Sequence, residues 1–502
     1  MDKLKFICIH GHFYQPPREN AFSGVIEDQP SALPYHNWNE RINKECYASN
    51  AHSPILNDNQ QVEEVINNYS LISFNFGPTL LSWMEKAAPD VYALILKADE
   101  ASRKNFSGHG SAMAQAYNHM IMPLANEADK KTQVIWGIKD FEYRFNRKPE
   151  GMWLPETAVD TPTLEILAAH GIVFTVLSPN QATKVKKLRE THWHHVHEST
   201  LNTHYPYLCR LPSGKKINIF FYNGPVSAEV AFGELLRNGE WFAKRLLAEF
   251  DEKLKAESLV HIATDGETYG HHHVFGNMAL SYALRHIQKN HLAKITNYGE
   301  FLARFPPKHE VVIKENSSWS CSHGVERWQS DCGCALDTRK LWNQKWRKPL
   351  RLSLNWLRDI LMKIYLKNVG EYVRDPYLFR NEYIKVVLNP SAVPFSDFVY
   401  SFTKKKLSED SLERLHDALE MQRFAMLMFT SCGWFFDDVS GIEARQIMQY
   451  AARAIAIAEK LQPRKIEDIF VRKLSKAKSN DKDTNGGFIY EQYARPSHHA
   501  RR

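Results

Sequence analysis

An alternation along the first three hundred residues constrains the fold most strongly. Short apolar runs at residues 4–9, 71–76, 151–154, 172–177, 217–222 and 259–263, with a weaker one at 109–114, are separated by stretches of helical periodicity. Val134, Ile138, Phe141 and Phe145 recur at spacings of four, three and four, which is one face of an amphipathic helix. Asp160 followed by Pro162 reads as a helix cap and an early proline, and Gly171 as the stop. Strands that alternate with helices assemble into a parallel sheet. Seven runs therefore predict an α/β fold, a seven-stranded (β/α) barrel over residues 1–305.

Beyond Pro306 and Pro307 the pattern changes. Residues 306–337 form a connecting segment dense in Trp, Cys, His and Gly, and residues 338–470 read as long helices, with examples at 412–429 and 441–461. This predicts an all-helical second domain. Residues 471–502 are polar and rich in Gly, Lys and Asp, the composition of a disordered tail.

Bulk composition narrows the function classes. A 502-residue chain that is 43% hydrophobic has ample material for more than one core. Its seven cysteines are odd in number and irregularly placed, which argues against a disulfide framework and for a reducing, cytoplasmic setting. Residues 1–9 are too short for a signal h-region, and no apolar run approaches the ~20 residues that span a bilayer. A net charge of +7 is small for this length and scattered, so neither a nucleic-acid nor a membrane partner is expected. Twelve tryptophans suit a cleft that stacks on sugar rings.

Several runs end in residues with chemistry: His10, Glu156, Ser178, Asn223 and Asp265. Strand ends on one face are where barrel enzymes place their catalytic groups. A pair of carboxylates facing one cleft is what glycosidic cleavage requires, about 5–5.5 Å apart when configuration is retained. One must stay ionised while burial and the neighbouring charge keep the other protonated. No cofactor is needed for that chemistry. His10, His12 and Asp265 admit a second reading, a metal site of the kind found in metal-dependent deacetylases and mannosidases.

Three motifs in order carry a resemblance. His10-Gly11-His12 with Gln15, Pro16 and Pro17, then Trp153-Leu154-Pro155-Glu156, then Asp265-Gly266-Glu267 with Tyr269, Gly270 and His271, resemble motifs of glycoside hydrolase family 57. That family comprises retaining amylases, 4-α-glucanotransferases and branching enzymes on a seven-stranded (β/α) barrel followed by a helical domain. The resemblance implies that Glu156 is the nucleophile and Asp265 the acid/base. It also implies that His10 or His12, together with Gln15, lines the sugar subsite, and that Trp434 reaches the cleft from the helical domain. His109, in Gly108-His109-Gly110, is nearest to the family's remaining motif. Trp38, Trp153, Glu267 and His271 complete the expected substrate-binding set.

The implied activity is retaining hydrolysis of α-glucosidic bonds in an oligo- or polysaccharide. Transglycosylation by the same family, a metal-dependent deacetylase or mannosidase, and a non-catalytic glucan-binding protein are the alternatives. The connecting segment places Cys321 and His323 before Cys332 and Cys334, metal-capable side chains whose spacing matches no common zinc motif; they read first as buried free thiols, with a metal or redox role as the alternative. His192, His194, His195 and His197 read as a solvated loop.

Overall fold

In a computed structural model, residues 4–250, 257–481 and 483–495 are described. The seven runs appear as β1 (Lys5–Phe13), β2 (Ser73–Phe76), β3 (Ala114–Gln115), β4 (Met152–Trp153), β5 (Phe174–Leu177), β6 (Lys216–Phe221) and β7 (Ser258–Asp265). The periodicity at 134–145 lies in the helix Glu127–Phe145, and Asp160 caps the helix Thr161–Ala169 through the Thr163 N–H.

β1 holds this arrangement together. It runs parallel to β7, from Lys5 opposite Ser258 to His12 opposite Asp265, and parallel to β2, from His10 opposite Ser73 to Phe13 opposite Phe76. With both edges paired, every residue after Lys5 is buried. The strand continues past Ile9, where the apolar run ends, because neighbouring ladders satisfy its backbone and side-chain hydrogen bonds absorb the imidazoles.

β3 pairs with β4 and β5 with β6, again in parallel. Single bridges link Phe74 to Ala112 and Gly151 to Phe174. The Asn223 N–H, just past β6, donates to the His261 carbonyl of β7 at 2.8 Å. Parallel α/β pairing is thus present, but among the described residues the ladders stay divided between separate sheets and do not make one continuous seven-stranded barrel. Two-residue strands at β3 and β4 are too short to carry a full ladder. β6 also continues into a six-stranded sheet through strands Tyr207–Arg210, His309–Ile313, Ala182–Lys187 and His194–His195. Phe6 and Cys8 of β1, Phe174 and Val176 of β5, Phe220 of β6 and Leu259 of β7 share one core with Trp153, Tyr298 and Phe301.

The chain forms two compact units, and they interleave in sequence. The first is Met1–Gln15, Asp28–Gln115 and Phe141–Trp319; the second is Pro16–Glu27, Ala116–Asp140 and Ser320–Arg502. Linear boundaries at 305, 337 and 470 are therefore corrected. Two early segments are held in the second unit by specific bonds: the Ala21 N–H donates to Gln449 Oε1 at 2.9 Å, Gln446 Nε2 donates to the Glu19 carbonyl at 3.0 Å, and the buried Asp129 accepts from Arg380 at 2.9 Å.

The second unit is helical, as predicted, around α1 (Arg347–Gly370), α2 (Glu409–Leu427) and α3 (Ile442–Leu461), which pack on one another. The tail differs from its reading as disordered. Helix Glu467–Leu474 packs on a short helix Gly486–Ile489, and Tyr490 is buried with its hydroxyl 3.0 Å from Glu467. Residues 496–502 lie outside the described residues. No described helix is long and apolar enough to cross a membrane.

Trp434 belongs to this unit's interior. It is fully buried, its Nε1 donates to the Arg347 carbonyl at 3.3 Å, the Arg351 guanidinium lies 3.9 Å over its ring, and Phe429 is parallel to it at 6.4 Å. None of the ring reaches solvent, so the expectation that it stacks on a sugar is corrected: the ring is core. Trp434→Ala is expected to cost roughly 3–5 kcal/mol of stability. Thermal melting should fall, while KM for oligosaccharides, measured well below the melt, stays unchanged.

Candidate active site

The register of β1 sets the level of the site. His12 stands opposite both Asp265 on β7 and Asn75 on β2, while Gln115 at the end of β3 stands opposite Trp153 at the end of β4. Five chemistry-bearing side chains therefore share the carboxyl ends of five strands.

Glu156 follows β4 by three residues, in a turn with unusual backbone. Its φ is 59° and that of Thr157 is 48°, two consecutive left-handed residues, the second β-branched. Each such conformation costs roughly 1–3 kcal/mol and persists only where the surroundings over-determine it. Here they do. Gln181 accepts from the Thr157 hydroxyl at 2.8 Å and donates to the Thr157 carbonyl at 2.8 Å, while the Val159 N–H donates to the Ser317 carbonyl and the Trp319 N–H to the Glu156 carbonyl, both at 3.0 Å. Trp319 also donates its indole N–H to Glu156 Oε2 at 2.9 Å. The strained turn thus aims a carboxylate, and the indole fixes its orientation.

Asp265 ends β7. The residue is exposed to solvent, while the strand before it and Gly266 to Gly270 after it are buried. Burial first, then the charges of Glu267 and Glu156, hold it well above the usual aspartate range. Glu267 is itself buried, and burial pushes it up to about 7 against hydrogen bonds from the Tyr47 hydroxyl at 2.7 Å and the Tyr14 N–H at 3.1 Å. Those bonds tie Glu267 to the frame. Gly266, between the two acids, has no room for a side chain: a Cβ would sit 2.2 Å from the buried Phe13 ring.

His10 and His12 stack on Trp153 at 4.7 and 5.1 Å. One amide organises both. Asn75 Oδ1 accepts from His10 Nε2 at 3.0 Å, and Asn75 Nδ2 donates to His12 Nδ1 at 2.9 Å and to Gln115 Oε1 at 2.8 Å. Burial holds each imidazole far down, at about 3, so both are neutral at pH 7. With Nδ1 accepting, His12 carries its proton on Nε2. His10 is fully buried, held by Asn75 and Ser73 and stacked on Trp153. His10 Nε2 and His12 Nδ1 are both engaged by the Asn75 amide, and His10 Nδ1 lies 3.1 Å from Ser73 Oγ, so His10 offers no open ring nitrogen to a metal. Among the described residues, no group of three or more metal-capable side chains includes His10, His12 or Asp265.

The remaining predicted residues divide. Gln15 is half-buried two positions past β1. Trp38 and His271 meet edge to face at 6.0 Å in a cluster where Glu45 binds both His271 and Arg41. His109 is corrected: it precedes β3, at the opposite strand end from the carboxylates, and its Nδ1 lies 2.8 Å from Glu150, which precedes β4. Asn75 and Trp319 were not legible as site residues. The signal for Asn75 is a lone amide inside an apolar run; Trp319 joins Glu156 across 163 positions of sequence.

Two family models match the chain. One, described as a domain of unknown function (DUF3536), matches residues 342–501, and the other, glycosyl hydrolase family 57, matches residues 12–314. No curated protein matches. Among solved structures, an exo-type maltose-forming amylase from Pyrococcus sp. ST04 is similar at 16% identity and a TM-score of 0.72, covering 94% of this chain and 82% of that one. A family 57 branching enzyme from Pyrococcus horikoshii is similar at 14% identity and 0.59, covering 99% and 98%. A 4-α-glucanotransferase from Thermococcus litoralis is similar at 14% and 0.54, covering 92% and 60%. At these identities the likeness is one of fold. The family model spans more than half of the sequence, and by that match the chain belongs to glycosyl hydrolase family 57.

Proposed function

We propose that this protein cleaves α-glucosidic bonds of glucans or oligosaccharides with retention of configuration, through a glycosyl intermediate on Glu156. The observation that carries the reading is the asymmetry of the two acids: burial first, then the charges of Glu267 and Glu156, push Asp265 well above the usual aspartate range, while Glu156 is oriented by an indole N–H. The α-glucan substrate follows the similar solved enzymes, which form maltose, branch or transfer glucan. The seven parallel segments, linked by ladders and bridges, serve as an interrupted barrel wall around the site.

In the first step Glu156 attacks the anomeric carbon while Asp265 gives its proton to the departing glycosidic oxygen. In the second, the Asp265 carboxylate takes a proton from water or a sugar hydroxyl, which displaces Glu156. Water gives hydrolysis and a sugar gives transfer. The neutral Asn75 network keeps His12 in one tautomer, with its proton on Nε2.

Glu156→Gln is expected to fold and bind maltooligosaccharides while losing at least a thousandfold in kcat, about 4 kcal/mol of barrel-site catalysis. Azide should restore turnover as a β-glycosyl azide; near wild-type rates in the Gln variant would remove Glu156 from the mechanism. Trp319→Phe keeps the ring and deletes the donor. Loss of a hydrogen bond to a charged group, worth roughly 1.5–3 kcal/mol, should lower kcat about 10- to 100-fold with little change in KM.

Glu267→Gln tests the electrostatics. Asp265 must be protonated to act as acid, so activity falls as pH rises through its raised pKa. Removing the Glu267 charge makes that ionisation easier and lowers the pKa. The alkaline limb of the kcat/KM profile should therefore move to lower pH; a limb that stays in place would show that Glu267 does not act on Asp265.

A further inference from the structure

We infer that Cys321, His323, Cys332 and Cys334 form a closed structural zinc site in the second unit. Their ligand atoms all lie within 4.8 Å of one another. Cys321 Sγ is 4.0 Å from Cys332 Sγ and 3.8 Å from Cys334 Sγ, and Cys334 Sγ is 3.6 Å from His323 Nδ1. Tetrahedral zinc with Zn–S of about 2.3 Å and Zn–N of about 2.0–2.1 Å has S–S edges of about 3.8 Å and S–N edges of about 3.5 Å. Those three separations come within a few tenths of an ångström of these edges, and the remaining ones stay within 4.8 Å, so small side-chain adjustments close the tetrahedron. A disulfide would draw together two sulfurs and leave the third thiol and the imidazole unexplained. A polynuclear iron–sulfur cluster would hold its ligands farther apart, on separate irons.

The surroundings fit a ligand set with net negative charge. Three thiolates and a neutral imidazole around a dication sum to minus one. Arg347, whose side chain is buried, directs Nη1 to Cys332 Sγ at 3.8 Å, and its Nε and Nη2 have no hydrogen-bond partner among the described residues. A guanidinium so placed is costly unless a counter-charge sits beside it, and N–H donors to zinc-bound sulfur supply the outer support such sites use. The backbone is shaped for it as well. Gly333, between the last two cysteines, has φ +80°, which turns both thiols to one point without strain. The hooks are Cys-x-His and Cys-x-Cys, tighter than the usual finger spacing, and for that reason sequence alone did not expose them.

Four protein ligands leave no open position, so the site holds structure and does no chemistry on substrate. It pins the segment that begins two residues after Trp319. The test uses tag-free, full-length protein purified without chelators. Plasma mass spectrometry should find one zinc per chain, and cobalt exchanged for it should show the thiolate charge-transfer and intense visible bands of a three-sulfur tetrahedral site. The Cys332→Ser/Cys334→Ser double variant should lose both. If that variant fails to fold, titrating wild-type protein with a mercurial should release the zinc as three thiols react, read by a chromogenic chelator. Metal-free wild-type protein with no cobalt absorption, or a Cys321 disulfide found by peptide mapping without zinc, would overturn the proposal.

Discussion

The pairing of β1 with two parallel neighbours is the constraint from which the site follows. Because β7 and β2 are both in register with β1, the last residues of three strands are fixed at one height, and His12, Asp265 and Asn75 must converge. Slipping β1 by one residue would turn its side chains to the other face. The histidines would then lose Asn75 and Trp153, and Phe6 and Cys8 on the same face would lose the core. Fold and site are specified by the same ladder, so a change that weakens one weakens the other.

On that frame the charges are set against each other. Neutral imidazoles and a single asparagine hold one side without adding charge, while on the other burial first, and then the charges of Glu267 and Glu156, push Asp265 toward its protonated form. Glu267 is anchored by Tyr47 and Tyr14 and acts as a fixed neighbour, whereas Asp265 is reached by solvent. Accessibility, more than acidity, separates the group that can meet a substrate from the group that tunes it. The left-handed pair at Glu156 and Thr157 adds a second kind of stored cost, one that only a fixed and useful carboxylate direction would retain.

Much of this was legible in the chain. Apolar runs marked the seven strands, and the residues that end them marked both acids, because a strand buried on both faces reads as a continuous apolar run and a polar residue closes it. What the sequence hid is non-local. Asn75 looks like a strand residue until the register sets it between two histidines. Trp319 meets Glu156 only after the chain has folded back. Pro16–Glu27 and Ala116–Asp140 join the helical unit through side-chain bonds to residues hundreds of positions away, which no composition boundary records. Trp434 and His109 failed for a related reason: an aromatic near small residues and a histidine between glycines are as compatible with a core and a strand's far end as with a cleft. The polar composition of the tail concealed Ala477, Ile489 and Tyr490, a few apolar residues sufficient to seat it.

The central claim is that Glu156 is the atom donor of a covalent bond to the sugar. Incubating the enzyme with a fluorinated maltosyl fluoride, whose glycosyl-enzyme turns over slowly, and mapping the labelled peptide by mass spectrometry tests it directly. The account predicts one maltosyl adduct per chain, on Glu156. An adduct on Asp265 or Glu267, or steady turnover with inversion and no adduct, would contradict it.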